Sequence, residues 1–345
     1  MKNKLFFLCV ISVYLFTVVS CAQKVSNKKI NVISTIFPLY EFVKEVGKGK
    51  VNVSMILPPG AEAHSFEPTP QDIVKINESS MFIYTGEEME PWAHDIIKSL
   101  KNQNLVILEA CHNIKMLEES EHRCEHEKDG HKPSEFENNE HFLKDKSSKD
   151  IEPAAMETEE ENRHHHGGKD PHIWLDFEIN QKIVLAIAEE LSKLDPANKD
   201  FYKKNAEEYN AKLAMLDKKF KESIEKCELK TIMYGGHFAF GYLAKRYGLT
   251  YISPYKGFSP NSEPTPQKIA ELIDLIKKNK IEYLYYEELL DPKVAKSISN
   301  STGVNLELLH GAHNVSKEEL KKNVSFLQIM EDNLLKLKKG LKYKE

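Results

Sequence analysis

Glu67-Pro68-Thr69-Pro70-Gln71 returns letter for letter as Glu263-Pro264-Thr265-Pro266-Gln267 in the other half of the chain. Each copy follows an apolar, β-rich run and leads into an amphipathic segment. Thr is a good N-cap, and Pro suits the first helical position, where no backbone N–H is required. The repeat therefore predicts two related halves, each passing from strand through loop to helix at this point. The first copy is preceded by Gly60-Ala61-Glu62-Ala63-His64, so an imidazole stands in the loop that leaves a strand.

Outward from the first copy, residues 30–36 read as a buried strand. A helix starts at Phe37 with Pro38 in its first turn, and Val51–Leu57 alternates like the next strand. Ile73, Val74 and Ile76 give a helical face, 81–84 a short strand, 92–100 a helix and 105–108 a further strand. Strands alternating with helices indicate parallel β-α units, in which ligands gather at the carboxyl ends of the strands.

Outward from the second copy the pattern is the same. Strand 231–234 ends at Gly235-Gly236-His237, and a helix over 238–247 is closed by Gly248. Strand 249–252 comes next, then a helix through Ile269, Leu272, Ile273 and Ile276, and strand 281–286. Strand 305–309 runs into His310-Gly311-Ala312-His313, and Ser316 with Glu319 forms a capping box for the last helix.

Between the halves, Asp170-Pro171-His172-Ile173-Trp174-Leu175-Asp176 opens a helix with Ile179, Ile183, Val184, Ile187 and Leu191 on one face. Asp195-Pro196 then reads as N-cap and first residue of a helix from about Ala197 to Cys227 that contains no Gly or Pro. At about 1.5 Å per residue it is long enough to cross between domains. The expectation is an α/β protein of two Rossmann-like lobes with parallel sheets, joined by one long rigid helix. The N-terminal lobe spans 30–195, the joining helix 196–227 and the C-terminal lobe 228–345.

Residues 111–169 break this order. Hydrophobic periodicity disappears, and His112, His122, His126, His131, His141, His164, His165 and His166 stand among dense Glu and Asp. Such a composition buries too little apolar surface to offset ordering entropy, so the segment reads as a disordered acidic loop that captures metal weakly and exchanges it fast.

Lys2 and Lys4 precede the apolar run Leu5 to Ser20, which ends at Cys21. A charged start, a short apolar stretch and a small residue before cysteine describe an exported precursor, with residues 1–20 as signal peptide and 21–29 as tether. The pattern resembles the bacterial lipoprotein signal, in which Cys21 would carry the lipid. No later run approaches the ~18 apolar residues of a membrane span. The net charge of −5 gives no sign of a nucleic-acid partner. Cys111, Cys124 and Cys227 do not make a disulfide framework, although a Cys111–Cys124 bridge remains open.

Four histidines stand at strand ends or helix starts: His64, His172, His237 and His313. Zinc accepts an all-imidazole set, whereas manganese, magnesium and calcium take mostly oxygen, so the donor set points to Zn2+. A zinc hydrolase would need an open coordination position and a nearby base. The chain has no His-Glu-x-x-His and no Gly-x-Ser-x-Gly, and His313 would close that position.

Gly60-x-x-x-His64-x-Phe-Glu-Pro-Thr-Pro, Asp170-Pro-His172-Ile-Trp-Leu-Asp176, Gly236-His237-x-Ala-Phe-Gly-Tyr-Leu-Ala-x-x-Tyr-Gly248 and Ser259-Pro-x-x-Glu263-Pro resemble the zinc- and manganese-binding solute-binding proteins of bacterial ABC importers. The resemblance runs from about Ile30 to Leu337. It implies a metal held in the cleft between two lobes, delivery to an ABC membrane permease, a monomer, and attachment by lipid to the cell membrane, facing the periplasm or exterior. A third reading, a surface adhesin or metal-scavenging lipoprotein, is compatible with the same ligand chemistry and could coexist with transport. His64, His172 and His237 match the family's protein ligands. At the fourth position the family commonly has Asp, Glu or water; here His313 aligns, with His310 a rival and Glu62 a weaker oxygen donor. Asp176, Glu67 and Glu263 are expected behind the ligands or as caps.

Overall fold

The computed structural model describes residues 29–118, 168–237, 239–255, 263–289 and 291–345. The leader with Cys21, and the loop residues from 119 to 167 with all their histidines and Cys124, lie outside them.

The first half runs β1 (Ile30–Ser34), α1 (Phe37–Gly47), β2 (Val51–Met55), α2 (Pro70–Glu78), β3 (Met81–Tyr84), α3 (Ala93–Ser99) and β4 (Val106–Glu109). Its strands form one parallel sheet in the order β2-β1-β3-β4. Two long helices follow, α4 (Phe177–Leu194) and α5 (Lys199–Glu225). The second half runs β5 (Thr231–Met233), α6 (Gly241–Tyr247), β6 (Thr250–Ile252), α7 (Pro266–Lys278), β7 (Tyr283–Tyr286), α8 (Lys293–Thr302) and β8 (Asn305–Leu308), and closes with α9 (Lys317–Lys321) and α10 (Phe326–Gly340). Here β5 pairs with β6 and β7 with β8, all parallel. A parallel bridge between Tyr234 and Tyr285 joins the two pairs, with Gly235 N–H donating to the Tyr285 carbonyl at 2.7 Å. The resulting order, β6-β5-β7-β8, repeats that of the first sheet.

The duplicated pentapeptide occupies the same place in both halves, after the second strand and at the head of the helix that feeds the third. Thr69 caps α2 in a capping box with Asp72, and Thr265 caps α7 by accepting from the Lys268 N–H. Glu67 and Glu263 are exposed. Neither makes a hydrogen bond among the described residues, so the capping expected of them is done by their threonine neighbours.

Other differences are local. Helix α6 begins at Gly241 rather than 238, with Ala239 and Phe240 outside helical backbone. Helix α8 escaped the sequence reading: its Lys-Ser-Ile-Ser-Asn-Ser-Thr run is rich in polar residues of modest helix propensity, and only Ala295 and Ile298 are buried. The final helix is two helices, broken where Asn323 takes a φ of 53°. Each has its own capping box, Ser316 with Glu319 and Ser325 with Gln328. Asp195 does not cap the long helix. Pro196–Asn198 form a 3-10 turn, and the Asp195 carboxylate accepts from the Asn198 amide at 2.6 Å and the Tyr202 hydroxyl at 2.9 Å.

Helix α5 has 27 residues and so extends about 40 Å. It lies along α4 and also touches α1, α6 and α10, which makes it part of the core and more than a connector. A chain of rings marks this packing. Phe42 of α1 meets Phe326 of α10 edge-on at 5.3 Å, Phe326 meets Phe177 of α4, Phe177 meets Phe220 of α5, and Phe220 stacks on Tyr247 of α6 at 5.3 Å. Arg246 strengthens the last joint by bonding Asp217 of α5 through two nitrogens, at 2.7 and 2.6 Å. Each ring pair adds about 0.5–1.5 kcal/mol beyond its burial.

Leu213 and Met215, two residues apart on α5, test this reading, because Leu213 is fully buried while Met215 is 56% exposed. Leu213→Ala is expected to cost about 2–5 kcal/mol in chemical denaturation, and Met215→Ala less than about 0.5 kcal/mol.

Candidate metal centre

Four of the five candidate histidines lie in loops that follow a parallel strand, and the fifth, His172, opens a helical turn. His64 lies in the loop between β2 and α2, and His172 begins the 3-10 turn Ile173–Leu175 that enters α4. His237 follows β5, and His310 and His313 follow β8. The loop after β8 is stapled to the first half. Phe37 N–H donates to the His313 carbonyl at 3.0 Å, and Gly60 N–H to the Val315 carbonyl at 2.8 Å. The Asn314 amide donates to the carbonyls of Pro58 and Ala61, both at 2.8 Å, and the Trp174 indole to the Gly311 carbonyl at 2.7 Å.

Within this frame His64, His172 and His237 come together, one ligand atom of each lying within 4.8 Å of the others. His64 Nε2 and His172 Nε2 are 3.2 Å apart. Two nitrogens bound tetrahedrally to zinc at 2.0–2.1 Å would be about 3.3 Å apart, so this spacing fits one shared ion. The other nitrogen of two rings is already engaged. His172 Nδ1 lies 2.7 Å from Asp170 Oδ1, and His237 Nδ1 contacts Glu287 Oε2. That leaves His237 Nε2 buried with no hydrogen-bond partner among the described residues. A carboxylate behind imidazole fixes the tautomer and raises the basicity of the ligating nitrogen.

His313 is buried beside this trio but outside it, with Nδ1 3.4 Å from Glu288 Oε1. His310 is turned to other company. Its Nδ1 lies 3.2 Å from Glu288 Oε1 and its Nε2 3.6 Å from Glu319 Oε1. Glu62 Oε2 accepts from Ser65 N–H at 2.9 Å, while Oε1 is buried without a hydrogen-bond partner among the described residues. Asp176 caps α4 by accepting from the N–H groups of Glu178 and Ile179, and it pairs with Arg246 at 3.0 Å. The carboxylate behind His172 is therefore Asp170, not Asp176. His112 is exposed at the foot of the acidic loop.

The electrostatics separate the two kinds of histidine. Burial, reinforced by the neighbouring imidazoles, pushes His64 and His172 well below the usual imidazole range. Both rings stay neutral, with lone pairs available. Burial also lowers His310, but Glu288 and Glu319 outweigh it and lift that ring to about 9. Ala312 N–H approaches His310 Nδ1 at 2.9 Å, a contact only the neutral ring can accept. With carboxylates on both sides, the charged ring is the better description. Burial of Asp170 raises its carboxyl well above the ordinary value.

Sequence reasoning missed Asp170, Glu287, Glu288 and Asn314. Asp170 stood two residues from His172 in the motif already singled out. Glu287-Glu288 directly follow β7, a strand end where charged residues warrant suspicion.

A family model described as zinc-uptake complex component A, periplasmic, matches residues 32–340. The chain belongs to that family. Among its relatives, the high-affinity zinc uptake system protein ZnuA of Bacillus subtilis is 35% identical over 91% of this chain and 88% of its own length. The zinc-binding lipoprotein AdcA of Streptococcus pneumoniae is 31% identical over 94% of this chain, which spans only 58% of AdcA. The crystal structure of the Zn(II)-bound ZnuA-like domain of that AdcA superposes with a TM-score of 0.69 at 29% identity, covering 91% of this chain and 99% of that domain. The two-lobed α/β fold with parallel sheets and a long helix is that of the family.

In metal-free protein at pH 7.5, nitrogen-edited NMR of the imidazoles is expected to show His310 charged and His64 and His172 neutral. Because folding raises His310 from 6.5 to about 9, its contribution to stability is complete below about 6.5 and is lost as pH rises through about 9.

Proposed function

We propose that this chain is a high-affinity receptor that captures Zn2+ outside the cytoplasmic membrane and hands it to an ABC-type import permease. His64, His172 and His237 hold the ion, and His313 reaches it as the fourth donor from the stapled loop. The observation that carries the reading is the meeting of three imidazole nitrogens, two of them backed by Asp170 and Glu287. An all-nitrogen set suits zinc and lacks the oxygens that manganese, magnesium and calcium prefer. The names of the ZnuA and AdcA relatives point the same way.

His64 and His172 come from the lobe at 30–195 and His237 and His313 from that at 228–345, so the ion lies in the groove between lobes. The helix at 196–227 holds the lobes together. Cys21, at the end of the apolar leader, carries the lipid that anchors a monomeric receptor to the membrane. The acidic histidine-rich segment acts as an auxiliary metal collector.

The chemistry is binding and release. Zinc needs unprotonated imidazole, and each proton taken up by a ligand competes with the ion. Burial and the neighbouring imidazoles lower the proton affinity of His64 and His172 before any metal arrives. The same burial discourages water from filling the site with a competing hydrogen-bond network.

Competition against a chromophoric chelator is expected to show one tight zinc site that manganese at equal concentration does not displace. His237→Ala should abolish that site, and Glu287→Gln should weaken it by about ten- to a hundredfold. Loss of zinc-limited growth in cells carrying His237→Ala would connect the site to import.

The pH dependence follows from the depressed imidazoles. A free histidine set would begin losing zinc near pH 6.5. Here His64 and His172 take up protons only well below that value, so affinity should hold through pH 6.5 and fall at lower pH. Zinc titrations at stepped pH measure the onset.

A further inference from the structure

We propose that Tyr242 is a positioning residue for the metal centre, and that its hydroxyl, carried on α6 of the second half, holds His172 in register through Asp170. The inference rests on the reading of His172 as a zinc ligand. Tyr242 is 4% exposed, and its hydroxyl sits between two backbone strands of the other half. It accepts from the Leu117 N–H at 3.1 Å and donates to the Asp170 carbonyl at 3.0 Å.

Those two residues are themselves paired. Asp170 N–H donates to the Leu117 carbonyl at 2.8 Å, and Glu118 and Lys169 form an antiparallel bridge next to them. Tyr242 thus completes a three-way joint at the root of the acidic loop. Asp170 is the residue that faces His172, accepting from its backbone N–H at 3.0 Å and meeting its Nδ1 at 2.7 Å through the same oxygen. Displacing the Asp170 backbone would carry that oxygen off the ring and let His172 swing.

The same short helix lies just beyond His237. One tyrosine hydroxyl therefore ties the element that follows His237 to the residue that orients His172, whose ring centroids are 5.4 Å apart. The spacing of two rings contributed by different halves is set across this contact. The aromatic body of Tyr242 serves the core, as phenylalanine would; the hydroxyl alone serves the joint.

The test uses the full mature chain, with zinc affinity measured by chelator competition and site geometry by the visible absorption of the cobalt(II) form. Tyr242→Phe is expected to weaken zinc binding about three- to tenfold, the range of one or two neutral hydrogen bonds. Asp170→Asn should weaken it about ten- to a hundredfold. Because Tyr242 acts through Asp170, adding Tyr242→Phe to Asp170→Asn should cost little more, and Tyr242→Phe alone should alter the cobalt spectrum.

Tyr202→Phe, which removes the hydroxyl bonded to Asp195 away from the site, should leave both readouts unchanged even if it lowers the melting temperature. Wild-type affinity in Tyr242→Phe, or an equal penalty with and without Asp170, would overturn the inference. His172→Ala separates this failure from a larger one: if that variant binds zinc as the parent does, the ligand reading falls, whatever Tyr242 does.

Discussion

Two buried imidazoles can aim Nε2 at one point only if something holds Nδ1 from behind, and the rest of the site follows from that requirement. His172 and His237 both lie in the interior, where an unsatisfied ring nitrogen costs free energy. Asp170 and Glu287 absorb one nitrogen of each ring and leave the other facing inward. His64 has no such carboxylate among the described contacts and is only half buried. Its loop is held instead by the Asn314 amide, which spans two backbone carbonyls from the other half of the chain. Two rings are therefore fixed by side chains and the third by its backbone.

Much of this architecture was legible in the sequence, because the signals involved are local. The repeated pentapeptide announces two copies of one unit, and the structure returns the same strand order twice. Alternating runs such as Val51–Leu57 and glycine stops such as Gly248 mark elements whose ends are set by their own residues. The helix at Lys293–Thr302 stayed hidden because it buries too few side chains to print a period. The split near Asn323 was equally silent: a single residue in left-handed backbone ends one helix before a second capping box begins the next.

The site was legible in its donors and obscure in their support. His64, His172 and His237 stand in short motifs that can be read off the chain, and the structure gathers those three. His313 lies next to them, whereas His310 belongs to Glu288 and Glu319. Supporting contacts such as Glu287 with His237 or Trp174 with Gly311 link residues distant in sequence, and no spacing rule anticipates them. Asp176 illustrates the difficulty. It is a carboxylate in the right motif and the right neighbourhood, yet its oxygens are committed to the helix that starts beside it.

The antiparallel bridge of Glu118 with Lys169 has a consequence for how this fold can vary. Because the two ends of the intervening segment are fastened side by side, the surrounding structure does not register how many residues lie between them. Lengthening a loop whose ends are already joined changes its closure entropy only logarithmically, by about 0.6 kcal/mol for each doubling. A change in the number of residues between Glu118 and Lys169 therefore puts little free energy at stake, and His64, His172 and His237 would keep their places.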